Sequence, residues 1–293
     1  KIDVMYDKID TREYELSVNA PNITAAEGLY MDSSEFKATP SVIEITGPST
    51  QLDSIDKAEI YVENKQEINT AYTFHSSDVV LYDKNESKIN TDNLTFGTKD
   101  FTIDIPVYMQ KELDLTYDIR YAPANFDISS LNLDLSVDKI SIASPNTELE
   151  KIDKWNIGSI PLYDLDWDFN KAFTIKIPEN YKDISNVSMV TAKLNQDGLA
   201  KKTVTVDEIS VLNAPSDYNC TVNTYGLTFD IIGPEEDTNQ EILVTVDLLK
   251  YTVQSSTFTA DATISFPDYD KVWAVGLQKV SITASPVTKS SAE

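Results

Sequence analysis

Apolar and polar residues alternate along most of this chain, and that period of two limits the fold more than any other feature. In the clearest segment, Phe258, Ala260, Ala262, Ile264 and Phe266 are separated by single polar residues. Because successive side chains of a strand point to opposite faces, this pattern buries one face of a sheet and leaves the other in water. The pattern predicts an all-β protein made mainly of antiparallel sheets.

The same alternation recurs along the chain in segments that we expect to be strands. The clearest of these are Tyr14–Val18, Phe101–Val107, Leu113–Ile119, Leu131–Leu135, Phe173–Ile177 and Leu227–Ile231. Helical spacing is nearly absent. Apolar pairs three residues apart, Leu52 with Ile55 and Leu149 with Ile152, predict short helical turns that cap the core.

Proline-containing markers recur at roughly equal intervals and predict an internal repeat. One set of markers is Asn19–Pro21, Tyr121–Pro123 and Asn213–Pro215, and a second set ends in Pro48, Pro145 and Pro234. Since proline cannot donate to a ladder, it lies at strand ends and turns, where copies of one module would keep it. We therefore predict three small sandwich-like or barrel-like modules, residues 1–100, 101–202 and 203–293, in an elongated array.

The repeated unit resembles the YbbR domain family. The resemblance is carried by Thr39–Pro48, followed by Leu52 and Ile55, and by Leu227–Pro234 with Val244–Leu248. It implies a compact β domain repeated along an extracytoplasmic bacterial protein. Members of the family are commonly tethered by an N-terminal membrane helix, and some regulate a membrane-bound diadenylate cyclase. The resemblance transfers no catalytic residue to this chain.

The charge and the composition exclude several classes of function. The net charge is −24 over 293 residues, which disfavours binding to nucleic-acid phosphates or to anionic lipid. A single cysteine, Cys220, excludes a disulfide framework, and a single histidine, His75, excludes a histidine-based metal cluster. No segment is long and apolar enough for a membrane helix. The chain begins at Lys1 without Met, so we expect a trimmed form whose anchoring segment has been removed.

The search for reactive constellations gives two weak binding candidates and no catalytic residue. Asp164, Asp166 and Asp168 would share one face if the segment were a strand, and such a face could bind Ca²⁺. Trp167 would then lie on the other face and could stack on a sugar. The alternative is a solvated strand face with Leu165 and Trp167 buried. His75 is expected to be an exposed strand residue, and no cofactor is expected.

These observations favour a non-enzymatic extracytoplasmic protein that acts as a spacer and a protein-interaction element at the cell envelope. Its partner would be an unidentified protein, and the resemblance suggests a membrane-bound diadenylate cyclase. Two alternatives stay open. One is a cell-surface glycan-binding or adhesin-like protein that uses Trp167. The other is a glycosidase that uses two of the many carboxylates.

Overall fold

The computed structural model describes residues 6–238 and 241–287. Regular structure in these residues is almost entirely β-strand, so the predicted all-β class is confirmed. The strands are β1 (Ile9–Asn19), β2 (Ile23–Ala25), β3 (Leu29–Tyr30), β4 (Lys37–Thr39), β5 (Val42–Pro48), β6 (Lys57–Tyr61), β7 (Gln66–Ile68), β8 (Tyr72–Ser76), β9 (Val79–Tyr82), β10 (Thr95–Phe96), β11 (Phe101–Ile105), β12 (Tyr108–Arg120), β13 (Leu133–Leu135), β14 (Lys139–Ser144), β15 (Lys154–Pro161), β16 (Asn170–Thr174), β17 (Lys182–Asp183), β18 (Met189–Leu194), β19 (Leu199–Val206), β20 (Ile209–Leu212), β21 (Tyr218–Val222), β22 (Leu227–Pro234), β23 (Leu243–Asp247), β24 (Ser256–Ser265), β25 (Trp273–Ala274) and β26 (Gln278–Pro286).

Helical structure in the described residues is confined to short turns. The α-helix is α1 (Ser49–Asp53), and the 3₁₀ helices are Ser33–Glu35, Ile128–Ser130, Thr147–Lys151, Leu162–Asp164, Glu235–Asp237 and Leu248–Lys250. The helical turns predicted from Leu52 and Leu149 are confirmed, and both leucines are fully buried. No helix in the described part of the chain combines the length and the apolar composition needed to cross a membrane.

The chain divides into two compact units. The first contains residues 1–113, 140–153 and 177–186. Its sheets include the five-stranded order β10-β5-β1-β6-β9 and the three-stranded order β4-β11-β8. Side chains from both sheets meet in one core, in which Ile43, Ile60, Phe101 and Ile103 are completely buried. The hydrophobic effect of this shared core stabilises the unit.

The second unit contains residues 114–139, 154–176 and 187–293. It includes the orders β13-β18-β16, β19-β22-β25 and β20-β23-β24-β26-β21. The last two sheets share a core around Phe229, Val246, Val272 and Ile282. The predicted alternation forms β24 from Phe258 to Ile264, where every second residue is buried or half-buried and the residues between them are exposed.

One arrangement of strands recurs three times along the chain. In the first unit β1 pairs antiparallel with β5 and parallel with β6. In the second unit β12 pairs parallel with β15, and β20 pairs parallel with β23. Between the two strands of each parallel pair, another strand ends at the second proline marker and a helical turn follows it. This recurrence supports the predicted internal repeat.

The residue directly before the proline of the second marker is buried in all three copies. Gly47 and Gly233 precede Pro48 and Pro234, and a Cβ atom there would lie 2.4 Å from Leu94 Cδ2 and 2.7 Å from Val272 Cγ2, respectively. The matching residue, Ser144, is also buried, and its hydroxyl donates to the carbonyl of Asn180 at 3.1 Å. The marker therefore lies where another segment packs closely against a strand end.

The boundaries at residues 100 and 202 stay a prediction. β11 begins directly after the first boundary, and it pairs with β4 and β8 of the first unit. Phe101, Ile103 and Ile105 on this strand belong to the core of that unit. The segment 177–186, which the prediction assigned to the second module, also belongs to the first unit.

Candidate functional site

One polar cluster of the first unit brings together Glu35, Tyr108 and Lys182, with Asp32 beside them. Glu35 ends the 3₁₀ helix Ser33–Glu35, Tyr108 begins β12, and Lys182 begins β17. The Tyr108 hydroxyl donates to Glu35 Oε2, and Lys182 Nζ forms an ion pair with Glu35. Lys182 Nζ also lies 4.6 Å from the centroid of the Tyr108 ring, within the range of a cation–π contact.

The local chain positions the acidic residues of this cluster. Asp32 is the N-cap of the 3₁₀ helix, and its Oδ1 accepts a hydrogen bond from the backbone N–H of Ser34 at 3.0 Å. Capping by Asp fixes the start of the turn and thereby places Glu35 one turn further along. Asp32 Oδ2 lies 3.9 Å from Lys182 Nζ, so two carboxylates flank one ammonium group.

The contacts shift the pKa of each of the four groups. Every shift favours the form present at neutral pH: charged Asp32, Glu35 and Lys182, and neutral Tyr108. The hydrogen bonds from Lys182 and then Tyr108 lower the pKa of Glu35. The bond to Glu35, followed by burial, raises the pKa of Tyr108. Burial alone would lower the pKa of Lys182, but Glu35 and the neighbouring groups raise it overall. The hydrogen bonds of Ser34 lower the pKa of Asp32.

A cleft of about 350 Å³ lies beside this cluster. Its apolar lining includes Tyr72, Ile105 and Pro106, and Glu35 and Tyr108 contribute polar atoms. Because the pKa of Glu35 is lowered and the pKa of Tyr108 is raised, both shifts lead away from neutral pH, and neither group is poised to exchange a proton there. The geometry therefore suits the binding of a small apolar side chain better than acid–base catalysis.

A larger groove of about 680 Å³ lies in the second unit, between β19 and the beginning of β23. Residues 202–208 of the first segment and 241–245 of the second line it. β19 itself pairs with β22 from Leu199 to Val206.

The structure corrects the strand predicted for residues 164–168. Asp164 ends the 3₁₀ helix Leu162–Asp164, and Asp166 and Asp168 lie in the turn that follows it. The three carboxylates therefore do not share a strand face. Among residues 6–238 and 241–287, no three His, Cys, Asp or Glu side chains are grouped as a metal ion would require. The calcium site stays a prediction, but the strand on which it was based is not present at residues 164–168.

The other singled-out residues lie apart from both cavities. Trp167 is half-buried, and its carbonyl accepts a hydrogen bond from Gln196 Nε2 at 2.7 Å. Its role as a sugar platform stays a prediction. His75 is an exposed residue of β8, as expected, and its Nδ1 lies 3.2 Å from Asp100 Oδ1. Sequence reasoning missed Glu35, Tyr108 and Lys182, because no local motif connects residues so far apart in the chain.

Comparison with known proteins finds similarity only among solved structures. No family model and no curated protein matches the chain. A YbbR-like domain from Listeria monocytogenes is 14% identical, and the match covers 31% of this chain and 99% of that domain with a TM-score of 0.25. A YbbR-like protein from Streptococcus pneumoniae is 15% identical, with 66% of this chain and 98% of that chain covered and a TM-score of 0.28. Both solved structures are YbbR-like, the family that Thr39–Pro48 and Leu227–Pro234 of this chain resemble.

Proposed function

We propose that this chain is a non-enzymatic YbbR-like protein whose three β modules act as a spacer and a protein-interaction element on the outer side of a bacterial membrane. The observation that carries the proposal is the threefold recurrence of the parallel pairs β1–β6, β12–β15 and β20–β23. Repetition of one structural unit extends a chain and multiplies its surface without creating a reactive centre.

The polar cluster of the first unit supports a binding role over a catalytic one. Glu35 accepts a hydrogen bond from Tyr108 and forms an ion pair with Lys182. The pKa of each of the three groups is shifted further from neutral pH. General acid–base catalysis needs a group whose pKa lies near the working pH. The adjacent 350 Å³ cleft offers an apolar floor with charged groups around it, which suits a protein side chain.

The partner in this proposal is a membrane protein, and a membrane-bound diadenylate cyclase is the specific candidate that the family resemblance supplies. Affinity capture with cross-linking, using the folded chain as bait on native bacterial membranes, tests the proposal. We expect one reproducible membrane protein. Ala71→Arg, which fills the cleft, should reduce its recovery, whereas Lys84→Ala, in the exposed turn after β9, should not. Recovery of no reproducible partner would contradict the proposal.

A second candidate function is glycan binding, and one contact favours it. The rings of Tyr121 and Tyr163 lie 5.7 Å apart, and Tyr121 is 74% exposed. Exposed aromatic rings can stack on the apolar face of a sugar. A glycan array would show binding that falls in Tyr121→Ala or in Trp167→Ala. Absence of binding over a broad array would contradict the glycan-binding role, and the protein-interaction role would be the one that remains.

A further inference from the structure

Tyr121 adopts a backbone conformation that suits other residue types better. Its φ is +58°, in the left-handed region, where asparagine, aspartate and glycine are favoured and a bulky aromatic residue is an outlier. In the third copy of the first proline marker, the same place is occupied by Asn213, whose φ is +53°. The turn therefore needs the left-handed conformation here, and tyrosine adopts it in spite of its side chain.

The third copy also shows what an asparagine does at this place. Asn213 Nδ2 donates to Asp247 Oδ1 at 2.8 Å, and Asp247 lies opposite Leu212 in the parallel pair β20–β23. In the second copy, the place that corresponds to Asp247 is taken by Pro161, which lies opposite Arg120 in the pair β12–β15. Proline has no side-chain acceptor, so both partners of the polar contact are replaced together.

The replacement creates an exposed aromatic pair. The ring centroids of Tyr121 and Tyr163 lie 5.7 Å apart with an interplanar angle of 32°, and Tyr121 is 74% exposed. Tyr163 is half-buried, and its carbonyl accepts a hydrogen bond from the N–H of Gly276 at 2.7 Å. The anchored ring of Tyr163 supports the ring of Tyr121, most of which stays in water. A residue that breaks a local backbone preference in this way marks a candidate functional site.

The surface of the pair suits a flat ligand rather than a protruding side chain. Neither ring belongs to the lining of the groove of about 680 Å³ or of the cleft of about 350 Å³. The side chains that dominate protein interfaces anchor in pockets that remove them from water. An open aromatic ring instead fits the apolar C–H face of a pyranose, which stacks on the ring without entering a cavity.

The charges next to the rings favour an uncharged sugar. Arg120 precedes Tyr121 and Asp164 follows Tyr163, and both charged residues are exposed. One cation and one carboxylate give no local excess of positive charge, and the chain as a whole carries −24. That net charge repels an anionic glycan. The guanidinium can donate to sugar hydroxyl groups and the carboxylate can accept from them, so neither requires a charged ligand.

We propose that Tyr121 and Tyr163 form a binding platform for an uncharged pyranose glycan, and that Tyr121 is the residue that stacks on the sugar. The left-handed backbone at Tyr121 is the conformational cost of presenting its ring. This inference rests on glycan binding, the second candidate of the proposed function, and names the sugar class and the contact residue. A single platform gives weak binding, so the test must detect weakly bound ligands.

Saturation-transfer difference NMR of the full chain, with cellohexaose and chitohexaose as probes, meets this requirement. We expect saturation transfer to the C–H protons of both uncharged probes and little transfer to oligogalacturonate, the anionic control. Tyr121→Asn keeps the left-handed conformation but removes the ring, so it should reduce the transfer by about fivefold or more. Tyr121→Phe should retain it. Tyr225→Asn makes the same change at a tyrosine that is 84% exposed in the loop between β21 and β22, and it should leave the transfer unchanged.

Thermal unfolding tests the backbone argument separately. Tyr121→Asn and Tyr121→Ala both remove the ring, but only asparagine is favoured in the left-handed region. We therefore expect Tyr121→Asn to unfold at the higher temperature of the two. The reverse order would contradict the assignment of a left-handed turn at this place, and a folded Tyr121→Asn variant ensures that a loss of binding reports on the ring.

The outcomes also separate this inference from the role on which it rests. Binding of the uncharged probes that is insensitive to Tyr121→Asn would overturn the inference and leave glycan binding standing, and so would stronger binding of oligogalacturonate. Absence of binding to all three probes would overturn the inference, and the broad array would then decide on glycan binding itself. Binding of a polyproline peptide that depends on Tyr121, without binding of the sugars, would overturn it in favour of a protein partner.

Discussion

The indole Nε1 of Trp273 donates a hydrogen bond to the backbone carbonyl of Leu165 at 2.8 Å, and both residues are almost completely buried. The bond joins β25 to the turn that follows the 3₁₀ helix Leu162–Asp164 within the second unit. Phe126 packs edge-on against the same indole, with ring centroids 6.1 Å apart and an interplanar angle of 88°. Trp273 therefore connects three segments that are distant in the sequence.

Replacing this tryptophan should destabilise the second unit. Trp273→Phe keeps an aromatic ring but removes the donor, so the buried carbonyl of Leu165 loses its partner. We expect a loss of about 1–3 kcal/mol in the free energy of unfolding, measured by urea denaturation followed by circular dichroism. Trp167→Phe is the matched control, because Trp167 is half-buried, and it should change stability by less than about 0.5 kcal/mol. An equal effect of the two substitutions would contradict this account.

The polar cluster of the first unit should make stability depend on pH at both ends of the range. The pKa of Glu35 is lowered from its ordinary 4.5, so its contribution is present above pH 4.5 and is lost as the pH falls below that value. The pKa of Lys182 is raised from 10.5, so its contribution is present below pH 10.5 and is lost as the pH rises through the raised pKa.

Lys182→Met removes the ion pair and should lower the free energy of unfolding by about 1 kcal/mol near pH 7. The difference from the wild type should shrink as the pH falls from 4.5 through the lowered pKa of Glu35, and again as it rises from 10.5 through the raised pKa of Lys182, because the wild type then loses the interaction as well. Chemical denaturation at a series of pH values measures it. Lys84→Met, which alters an exposed lysine in a turn of the same unit, should show no such window. A difference that does not vary with pH would show that the cluster stabilises the unit by packing alone.

The two glycines at the second proline marker should differ in their tolerance of a methyl group. At Gly233 a Cβ atom would lie 3.1 Å from the backbone Cα of Val272 and 3.2 Å from the carbonyl oxygen of Lys271. At Gly47 the nearest atom is the end of the Leu94 side chain, which can move, and one backbone atom, the carbonyl oxygen of Asn93, would lie at 3.1 Å. We expect Gly233→Ala to cost about 1–3 kcal/mol and Gly47→Ala to cost less, as measured by thermal unfolding. The reverse order would show that the segment 271–272 can move aside.

The first predicted boundary can be tested by truncation. Residues 1–100 lack β11, whose Phe101, Ile103 and Ile105 are at most 1% exposed in the core of the first unit. Deleting three such side chains removes several kcal/mol of burial, on the order of 2–5 kcal/mol for each. We therefore expect the fragment 1–100 to be unfolded, and the fragment 1–113 to retain more β-structure by circular dichroism. Equal folding of the two fragments would favour the boundary at residue 100.

The fold class and two helical turns were accessible from the sequence because they depend on local patterns. Alternation reports strands directly, and the spacing of Leu52 and Leu149 from the next apolar residue reports a turn of helix. The same spacing of apolar residues occurs at residues 162–165, which overlap the segment 164–168 that was predicted as a strand. Leu162 and Leu165 are three residues apart and buried, as expected for the 3₁₀ turn that the structure shows.

The polar cluster was not accessible in this way. Glu35, Tyr108 and Lys182 carry no motif, and each is an ordinary polar residue of a turn or a strand end. Their relation arises only when β3 pairs with β12 and when β14 pairs with β17, and those pairings join distant parts of the chain. Sequence periodicity reports which face of a strand is buried, but not which strands become neighbours.

The first unit draws on residues 140–153 and 177–186 in addition to the start of the chain. A ribosome makes these stretches after it has begun the second unit, whose earliest residues follow Leu113. Folding of the N-terminal unit during synthesis therefore cannot be completed until residue 186 has left the exit tunnel. Until then the first unit lacks two of its segments, although part of the second unit has already been made.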